Sequence, residues 1–228
     1  GIEKLPVKHG SPSVAMPGFE IDILNDNGDV LPTGELGSIA IKLPLPPSCL
    51  STIWGADQAF VDKYLTAFAG YYETGDAGYC DDDGYIYIMA RTDDVINVAG
   101  HRLSTGQLEE VLADHPDIAE CAVIGVADQL KGQLPLGLIC LYSTSQRKAE
   151  DIIAEAINLV RSRVGRVAAL NQIVVVERLP KTRSGKVLRS TVAKIADGTA
   201  WTMPATIDDP EILDEITVAL KSIGYASG

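Results

Sequence analysis

The sequence predicts a mixed α+β fold in two parts, an antiparallel β-rich part over residues 1–92 and an α/β part over residues 93–228. In the first part, segments that alternate apolar and polar residues are separated by turn residues, which is typical of half-exposed antiparallel strands. In the second part, apolar strands alternate with segments of helical periodicity. The polar joint "ARTDD", Ala90 to Asp94, lies between the two patterns, and we place the domain boundary there.

The first part contains four predicted elements. "FEIDIL" (19–24) and "GSIAIKL" (37–43) both alternate and flank the turn residues "NDNGD", so they predict paired strands. A short helix is predicted over 57–65. "YIYIMA" follows the acidic turn "DDDG" and predicts another hairpin.

The second part begins with a predicted helix. Ser104 is followed three residues later by Gln107, a spacing typical of a capping box, and the helix continues through "LEEVLADH" to Pro116. The segments "AECAVIGVA" and "LPLGLICLY" predict two apolar strands.

A second long helix is indicated by four apolar residues that share one face and by Gly165 as its C-terminal stop. The four residues are Ile152, Ala156, Val160 and Val164. "QIVVVE" predicts a last strand, and a final helix is predicted from about Val187.

Composition and charge exclude several classes of function. The net charge of -12 on 228 residues repels nucleic acid and anionic membranes, so neither is expected as a partner. No apolar stretch reaches membrane-spanning length. The four cysteines, at positions 49, 80, 121 and 140, form neither a zinc pattern nor a disulfide framework, which favours a reducing compartment.

The basic segment "PKTRSGK" (180–186) raises the question of what Lys186 does. A glycine turn before a helix can bind phosphate, but a phosphate loop needs glycine where Pro180 stands and Ser or Thr where Val187 stands. A solvated basic loop is the alternative interpretation, because lysines are mostly surface residues.

Two further side chains suit a nucleotide ribose. "YYETGD" ends in the carboxylate of Asp76 after a Thr-Gly turn, and Arg91 follows fifteen residues later. A carboxylate can accept from both ribose hydroxyls, and a guanidinium can donate to them. Taken singly, Asp76 is better explained as a turn cap and Arg91 as an ion pair at the rim.

Together with "RTDDVINVAGHRLS" and "LPKTRSGK", these segments resemble the adenylate-forming acyl-CoA synthetases, and within them the acetyl- and propionyl-CoA synthetase branch. The resemblance covers essentially the whole chain. Ala90 stands where glycine commonly precedes the arginine, and Ala99 stands where acetyl-type members often have serine. Neither difference removes a charged group.

The resemblance implies a two-step reaction, in which a carboxylate joins the α-phosphate of ATP and the thiol of CoA then displaces AMP. It implies that Lys186 is catalytic in the first step, that Asp76 and Arg91 hold the ribose, and that Arg102 contacts the nucleotide phosphate. Asp93 matches the hinge about which a mobile C-terminal domain rotates.

For the second step, the resemblance implies that Ala99 and Gly100 line the path of the pantetheine arm and that Arg161 contacts a CoA phosphate. A helix-surface arginine near the C-terminal dipole is the alternative for Arg161. A magnesium site is implied at the imidazole of His115 and at two backbone carbonyls, those of Ala113 and Ile118; a capping or surface histidine is the alternative.

By the same resemblance, residues 1–92 are the last subdomain of a large domain whose remainder, with the main ATP loop and the acyl pocket, belongs upstream, so the fragment alone is expected to be inactive. The expected ligands are ATP, CoA, Mg²⁺ and a short-chain carboxylate, either propionate or acetate. The expected protein partners are the missing N-terminal part and a lysine acetylase or deacetylase acting on Lys186.

The expected compartment is the bacterial cytoplasm or the mitochondrial matrix. Two other functions stay open from the residues alone. One is a noncatalytic module whose basic loop docks an acidic partner, and the other is a superfamily relative that loads a carrier protein.

Overall fold

The computed structural model describes residues 5–226. The chain forms two compact units, Gly1–Thr92 and Asp93–Gly228. Both contain antiparallel sheets, and the second also contains most of the helices, so the mixed α+β fold class is confirmed.

The first unit is a four-stranded antiparallel sheet in the order β1-β2-β3-β4. Its elements are β1 (Ile21–Leu24), β2 (Gly37–Lys42), the helix α1 (Asp57–Tyr64), β3 (Tyr71–Cys80) and β4 (Ile86–Arg91). The predicted helix and the predicted hairpin are confirmed. β1 starts two residues later than predicted, because the N–H of Phe19 closes a turn onto the carbonyl of Met16.

The second unit is built on a five-stranded sheet. Its elements are β5 (Val95–Val98), β6 (His101–Ser104), α2 (Thr105–Ala113), β7 (Ile118–Asp128), β8 (Gly132–Leu141), α3 (Ala149–Arg163), β9 (Gln172–Val175), α4 (Arg189–Ala196) and α5 (Ile212–Ser222). The sheet order is β6-β5-β8-β7, and β9 pairs with β8 in parallel. β8 lies at its centre, where it pairs with β7, β5 and β9.

Both faces of this sheet are covered, which explains why β7 and β8 read as continuous apolar runs. Ala122 and Ile124 of β7 belong to a core cluster with α4 and α5, whereas Val123 between them belongs to a cluster with α2 and α3. On α3 the predicted face is confirmed, since Ile152, Ala156 and Val160 are buried, with Val164 packed against them.

Two helix predictions need correction. Ser104 occupies the N-cap position of α2 but makes no side-chain capping bond, so the predicted capping box is wrong. The final helix starts at Arg189 rather than Val187, because Val187 forms a β-bridge with Lys181 and the N–H of Leu188 bonds to the carbonyl of Pro180.

The helix α5 was not predicted from the sequence. Its four buried residues recur at helical spacing, at positions 212, 213, 216 and 220, and this signal was present in the sequence. No helix within residues 5–226 is long and apolar enough to cross a membrane.

Candidate functional site

Lys186 lies on the second arm of a tight hairpin. The N–H of Gly185 bonds to the carbonyl of Thr182 at 2.8 Å, and the N–H of Thr182 bonds back to the carbonyl of Lys186 at 2.8 Å. The Thr182 hydroxyl accepts the N–H of Lys186 at 3.1 Å. Gly185 has φ +85°, which glycine adopts without strain, so the Ser184-Gly185 pair closes the turn.

The Lys186 side chain is exposed, and its ammonium makes no hydrogen bond or ion pair within the described part of the chain. The other arm of the hairpin is held differently, since the Lys181 ammonium pairs with both carboxylate oxygens of Glu120 at 2.7 and 2.8 Å. The hairpin therefore presents one ammonium that is available to an external anion.

In the first unit, Asp76 and Arg91 are register partners on β3 and β4. An Nη1 of Arg91 lies 3.5 Å from Oδ1 of Asp76. The N–H of Asp76 donates to the Thr74 hydroxyl at 3.1 Å, and Gly75 has φ +76° beside a register shift in the β2–β3 ladder. About a third of the Asp76 side chain stays exposed, so its carboxylate can still accept hydrogen bonds from a ligand.

The Arg91 guanidinium lies close to the backbone of Gly75. A Cβ added there would lie 2.7 Å from Nη2 of Arg91, so the guanidinium would have to shift. The Thr92 hydroxyl donates to the Gly75 carbonyl at 3.2 Å. The predicted Asp76–Arg91 pair is thus brought together by the β3–β4 hairpin.

Ala99 and Gly100 form the two-residue turn between β5 and β6. Their φ angles are +50° and +87°, as in a type I′ hairpin turn. The N–H of Gly100 donates to Oδ1 of Asn97 at 3.0 Å, and the N–H of Ala99 donates to the carbonyl of Lys131 at 2.8 Å. The space in front of Gly100 is open, because an added Cβ would meet no atom within 4 Å.

Arg161 lines a cleft of about 310 Å³ at the C-terminal end of α3. Lys131 and Arg166 line the same cleft, and the side chains of all three cations are without a hydrogen-bond or ion-pair partner among residues 5–226. Three unpaired cations around one cleft on a chain of net charge -12 suit a multiply charged anion.

Lys131 and Arg166 were not predicted as site residues, because no sequence motif connects them to Arg161. Lys131 contacts the Ala99 turn through its carbonyl, so the cleft and the Ala99–Gly100 turn are neighbours in the fold. The predicted CoA contacts Ala99, Gly100 and Arg161 are therefore brought into one region.

Arg102 and Asp93 both lie near the start of the second unit. Arg102 is half-buried on β6, opposite Asn97 of β5. Asp93 lies in a short 3₁₀ turn over Thr92–Asp94, and its side chain lies outside the part of the chain that the structure describes.

His115, the predicted metal ligand, is buried and has protein partners at both ring nitrogens. Nδ1 accepts the N–H of Asp117 at 3.2 Å, and Nε2 lies 3.3 Å from Oε2 of Glu155. Arg147 binds the same Glu155 carboxylate and also Asp117, and it holds the pKa of Glu155 below its usual value. The residues described contain no group of three acidic, histidine or cysteine side chains placed to hold a metal ion.

The Lys186 hairpin and the Ala99–Gly100 turn attach to opposite ends of β7. The hairpin is tied to Glu120, near the start of the strand. The turn is tied to Lys131, next to Gly132, which pairs with Asp128 at the end of the strand. Eight residues of extended strand between these anchors correspond to about 26 Å, well beyond the reach of one side chain.

Comparison with known proteins identifies the second unit. Residues 107–186 match the family model of the AMP-binding enzyme C-terminal domain. The chain is 45% identical over 212 residues to the mouse protein named acyl-CoA synthetase short-chain family member 3, mitochondrial, covering 93% of this chain and 31% of the relative. It is 41% identical over 227 residues to the propionate–CoA ligase of Escherichia coli, covering 97% of this chain and 36% of the relative.

The fold is also known from solved structures. Acetoacetyl-CoA synthetase from Streptomyces lividans superposes with a TM-score of 0.78 at 21% identity, covering 96% of this chain and 33% of that chain. The chain thus spans about a third of the length of the curated relatives it matches. Residues 107–186 thus match the AMP-binding enzyme C-terminal domain, and more than nine-tenths of the chain is similar to relatives named acyl-CoA synthetase short-chain family member 3 and propionate–CoA ligase.

Proposed function

We propose that this chain is the C-terminal part of an AMP-forming acyl-CoA synthetase that activates a short-chain carboxylic acid, either propionate or acetate. The names of the mouse and E. coli relatives support the reaction class and the short acid. The observation that carries the proposal is the placement of a free ammonium and a bare backbone turn at opposite ends of β7.

Lys186 serves the first half-reaction. A carboxylate oxygen of the acid attacks the α-phosphorus of ATP, the bond to pyrophosphate breaks, and acyl-AMP forms. Negative charge builds up between the two anions as they approach, and the exposed Lys186 ammonium stabilises it. No intramolecular ion pair within the described residues has to break before the ammonium can do so.

The nucleotide is held by three side chains in this proposal. The partly exposed Asp76 carboxylate accepts hydrogen bonds from the ribose hydroxyls. Arg91 donates hydrogen bonds to the same hydroxyls from the neighbouring strand. Arg102 donates to the nucleotide phosphate. Charge-assisted hydrogen bonds of this kind are roughly twice as strong as neutral ones.

The Ala99–Gly100 turn serves the second half-reaction. The CoA thiol loses its proton to solvent, its sulfur attacks the acyl carbon, and the carbon–oxygen bond breaks so that AMP leaves with the bonding electrons. The open space at Gly100 lets the pantetheine arm pass along the backbone. Arg161 holds a CoA phosphate, together with the other cations of its cleft.

In this proposal, the two half-reactions use groups that attach to opposite ends of β7. Because the Lys186 hairpin and the Ala99–Gly100 turn attach to β7 about 26 Å apart, we infer that one orientation of the second unit does not bring both to the same carboxyl group. We therefore propose that residues 93–228 form a mobile domain that turns about Asp93 and that residues 1–92 belong to the large domain. A carboxylate at such a joint can take different partners in the two orientations.

Magnesium is proposed to enter with ATP, where it neutralises phosphate charge. The arrangement at His115 does not fit a metal ligand, because Nδ1 already accepts a backbone N–H and Nε2 faces Glu155. Ala113, His115 and Ile118 therefore have no role in the proposed reaction. Lys186 is also proposed as a control point, since acetylation by a lysine acetylase would remove the charge used in the first step.

The test uses the full-length protein with Lys186→Ala. Acyl-adenylate formation, measured by pyrophosphate exchange with propionate and with acetate, should fall by about 10²–10³-fold. Thioester formation from preformed acyl-AMP and CoA should be unchanged. Lys221→Ala, at an exposed lysine of α5, is the matched control and should change neither rate. Equal damage to both half-reactions by Lys186→Ala would sink the proposal.

A further inference from the structure

A half-buried ion pair lies immediately behind the Lys186 hairpin. Arg189 binds Glu109 through two parallel hydrogen bonds, Nε to Oε1 at 2.8 Å and Nη2 to Oε2 at 2.7 Å. The side chains of Arg189 and Glu109 are only 21% and 15% exposed. This planar two-bond geometry fixes the direction of the guanidinium as well as its distance.

Glu109 is itself held in place by the strand it packs against. Its Oε1 also accepts the backbone N–H of Val123 in β7 at 2.8 Å. Its carbonyl accepts the thiol of Cys121 at 3.3 Å. The pair therefore joins α2, β7 and the first residue of α4, and the Glu109 hydrogen bond raises the pKa of Arg189.

Arg189 is connected to Lys186 by only two residues, and both are pinned. Val187 forms a β-bridge with Lys181, and the N–H of Leu188 bonds to the carbonyl of Pro180 at 2.9 Å. Lys181 and Pro180 belong to the other arm of the same hairpin, so these bonds hold Lys186, the hairpin and Arg189 together as one ordered segment. An Nη1 of Arg189 also lies 3.8 Å from Oδ1 of Asp94, next to the proposed hinge residue.

Two other ion pairs of the second unit are more exposed, although Arg178 and Glu215 also form two parallel hydrogen bonds. Lys181 and Glu120 are 33% and 47% exposed, and Arg178 and Glu215 are 45% and 48% exposed. Exposed pairs of this kind hold geometry weakly, because water competes for both partners. Of these pairs, Arg189–Glu109 is the one buried enough to fix the hairpin.

We propose that Arg189, clamped by Glu109, is a positioning residue that sets where Lys186 stands during adenylation. This inference rests on the proposed role of Lys186. It follows from the bidentate geometry, the low exposure of both partners and the pinned two-residue connection. Neither side chain contacts substrate; the pair acts through the backbone of the hairpin.

The test compares two variants with matched controls in the full-length protein. Glu109→Gln keeps the shape but opposes an amide N–H₂ to the guanidinium, and Arg189→Lys keeps the charge but cannot form two parallel bonds. Glu215→Gln and Arg178→Lys make the same changes in an exposed pair. Pyrophosphate exchange, thioester formation from acyl-AMP and thermal unfolding are measured for all four.

We expect both clamp variants to lower the maximal rate of pyrophosphate exchange by roughly 10- to 100-fold, because an ångström of misplacement costs about that much. Thioester formation from acyl-AMP should stay within about twofold of wild type. A merely structural lesion would lower both rates together. The exposed-pair controls should change neither rate.

The inference is overturned if the clamp variants lower both half-reactions equally or lower neither. Lys186→Ala is measured in parallel to separate the two proposals. If Lys186→Ala is selective for adenylation and the clamp variants are not, only the positioning role fails. If Lys186→Ala is itself unselective, the proposed function fails. Should Glu109→Gln not fold, the charge-retaining Arg189→Lys still decides the question.

Discussion

The Lys186 hairpin and the Ala99–Gly100 turn are both tight turns with a left-handed glycine, yet they present opposite chemistry. Gly185 and Gly100 have φ angles of +85° and +87°, and each faces open space. At the first, a lysine follows the glycine and adds a positive charge. At the second, an alanine precedes it, and what is presented is backbone.

The difference lies in how each turn is supported. The hairpin is tied to buried charge through Arg189 and Glu109, as suits a loop that must place one cation accurately. The turn is tied by hydrogen bonds from its own N–H groups to the Asn97 amide and the Lys131 carbonyl, which leaves its outer surface bare. In the proposed function, the hairpin supplies a charged group and the Ala99–Gly100 turn leaves room for the pantetheine arm.

The largest expected effect comes from placing the same side chain in both turns. In the full-length protein, Gly100→Leu should slow thioester formation from acyl-AMP by more than about 100-fold and spare pyrophosphate exchange, because the added side chain fills the thiol's path. Gly185→Leu should show the reverse pattern, since it displaces the hairpin. Both variants should lose about 1–2 kcal/mol of stability to backbone strain.

Gly84→Leu controls for that strain. Gly84 has φ +81°, also with open space, and it lies in the turn before β4. It should lose similar stability with both half-reactions intact. If Gly100→Leu and Gly185→Leu gave the same profile, the assignment of one step to each turn would be wrong.

Asp76 offers a contrast to both loops, because its proposed ribose contact would be used with ATP and with acyl-AMP alike. Asp76→Ala should weaken ATP and AMP binding by about 1.5–3 kcal/mol, or roughly 10- to 150-fold, as measured by calorimetry on the full-length protein. Asp62→Ala, at an exposed carboxylate of α1, should have no effect. Unchanged nucleotide affinity would leave Asp76 as a turn residue only.

A smaller effect is expected at Arg161. Arg161→Ala removes one exposed cation from the cleft. It should raise KM for CoA by about fivefold, equivalent to about 1 kcal/mol, with little change in pyrophosphate exchange. Arg163→Ala is the control on the same helix, because Arg163 is paired with Asp114. A rise in KM for ATP instead of CoA would place the cleft with the first half-reaction.

The smallest effect is expected at Glu120. Glu120→Gln removes an exposed ion pair with Lys181 and should cost less than about 1 kcal/mol in thermal unfolding. Both half-reactions should be unchanged. A selective loss of adenylation here would mean that the exposed anchor, rather than the buried clamp, positions Lys186.

Much of the fold could be predicted from the sequence because its signals are local. The alternation in β1 and β2, the turn residues before β4 and the buried face of α3 each depend on a few consecutive residues. α5 was missed although its signal is also local, whereas two other errors occurred where tertiary contacts override local preference. Ser104 stands at the N-cap position without capping, and the start of α4 is delayed by the hairpin that precedes it.

For the candidate site too, some features follow from the sequence and others depend on the tertiary structure. The sequence by itself determined the residue types and their order: a carboxylate and an arginine on one hairpin, a glycine turn, and a lysine after a second glycine turn. Only the tertiary structure decided that Lys131 and Arg166 join Arg161, that Glu109 clamps Arg189 across 80 residues, and that the two loops lie at opposite ends of β7. The physical reason is that these relations depend on strand register and helix packing, which bring together side chains that no local pattern connects.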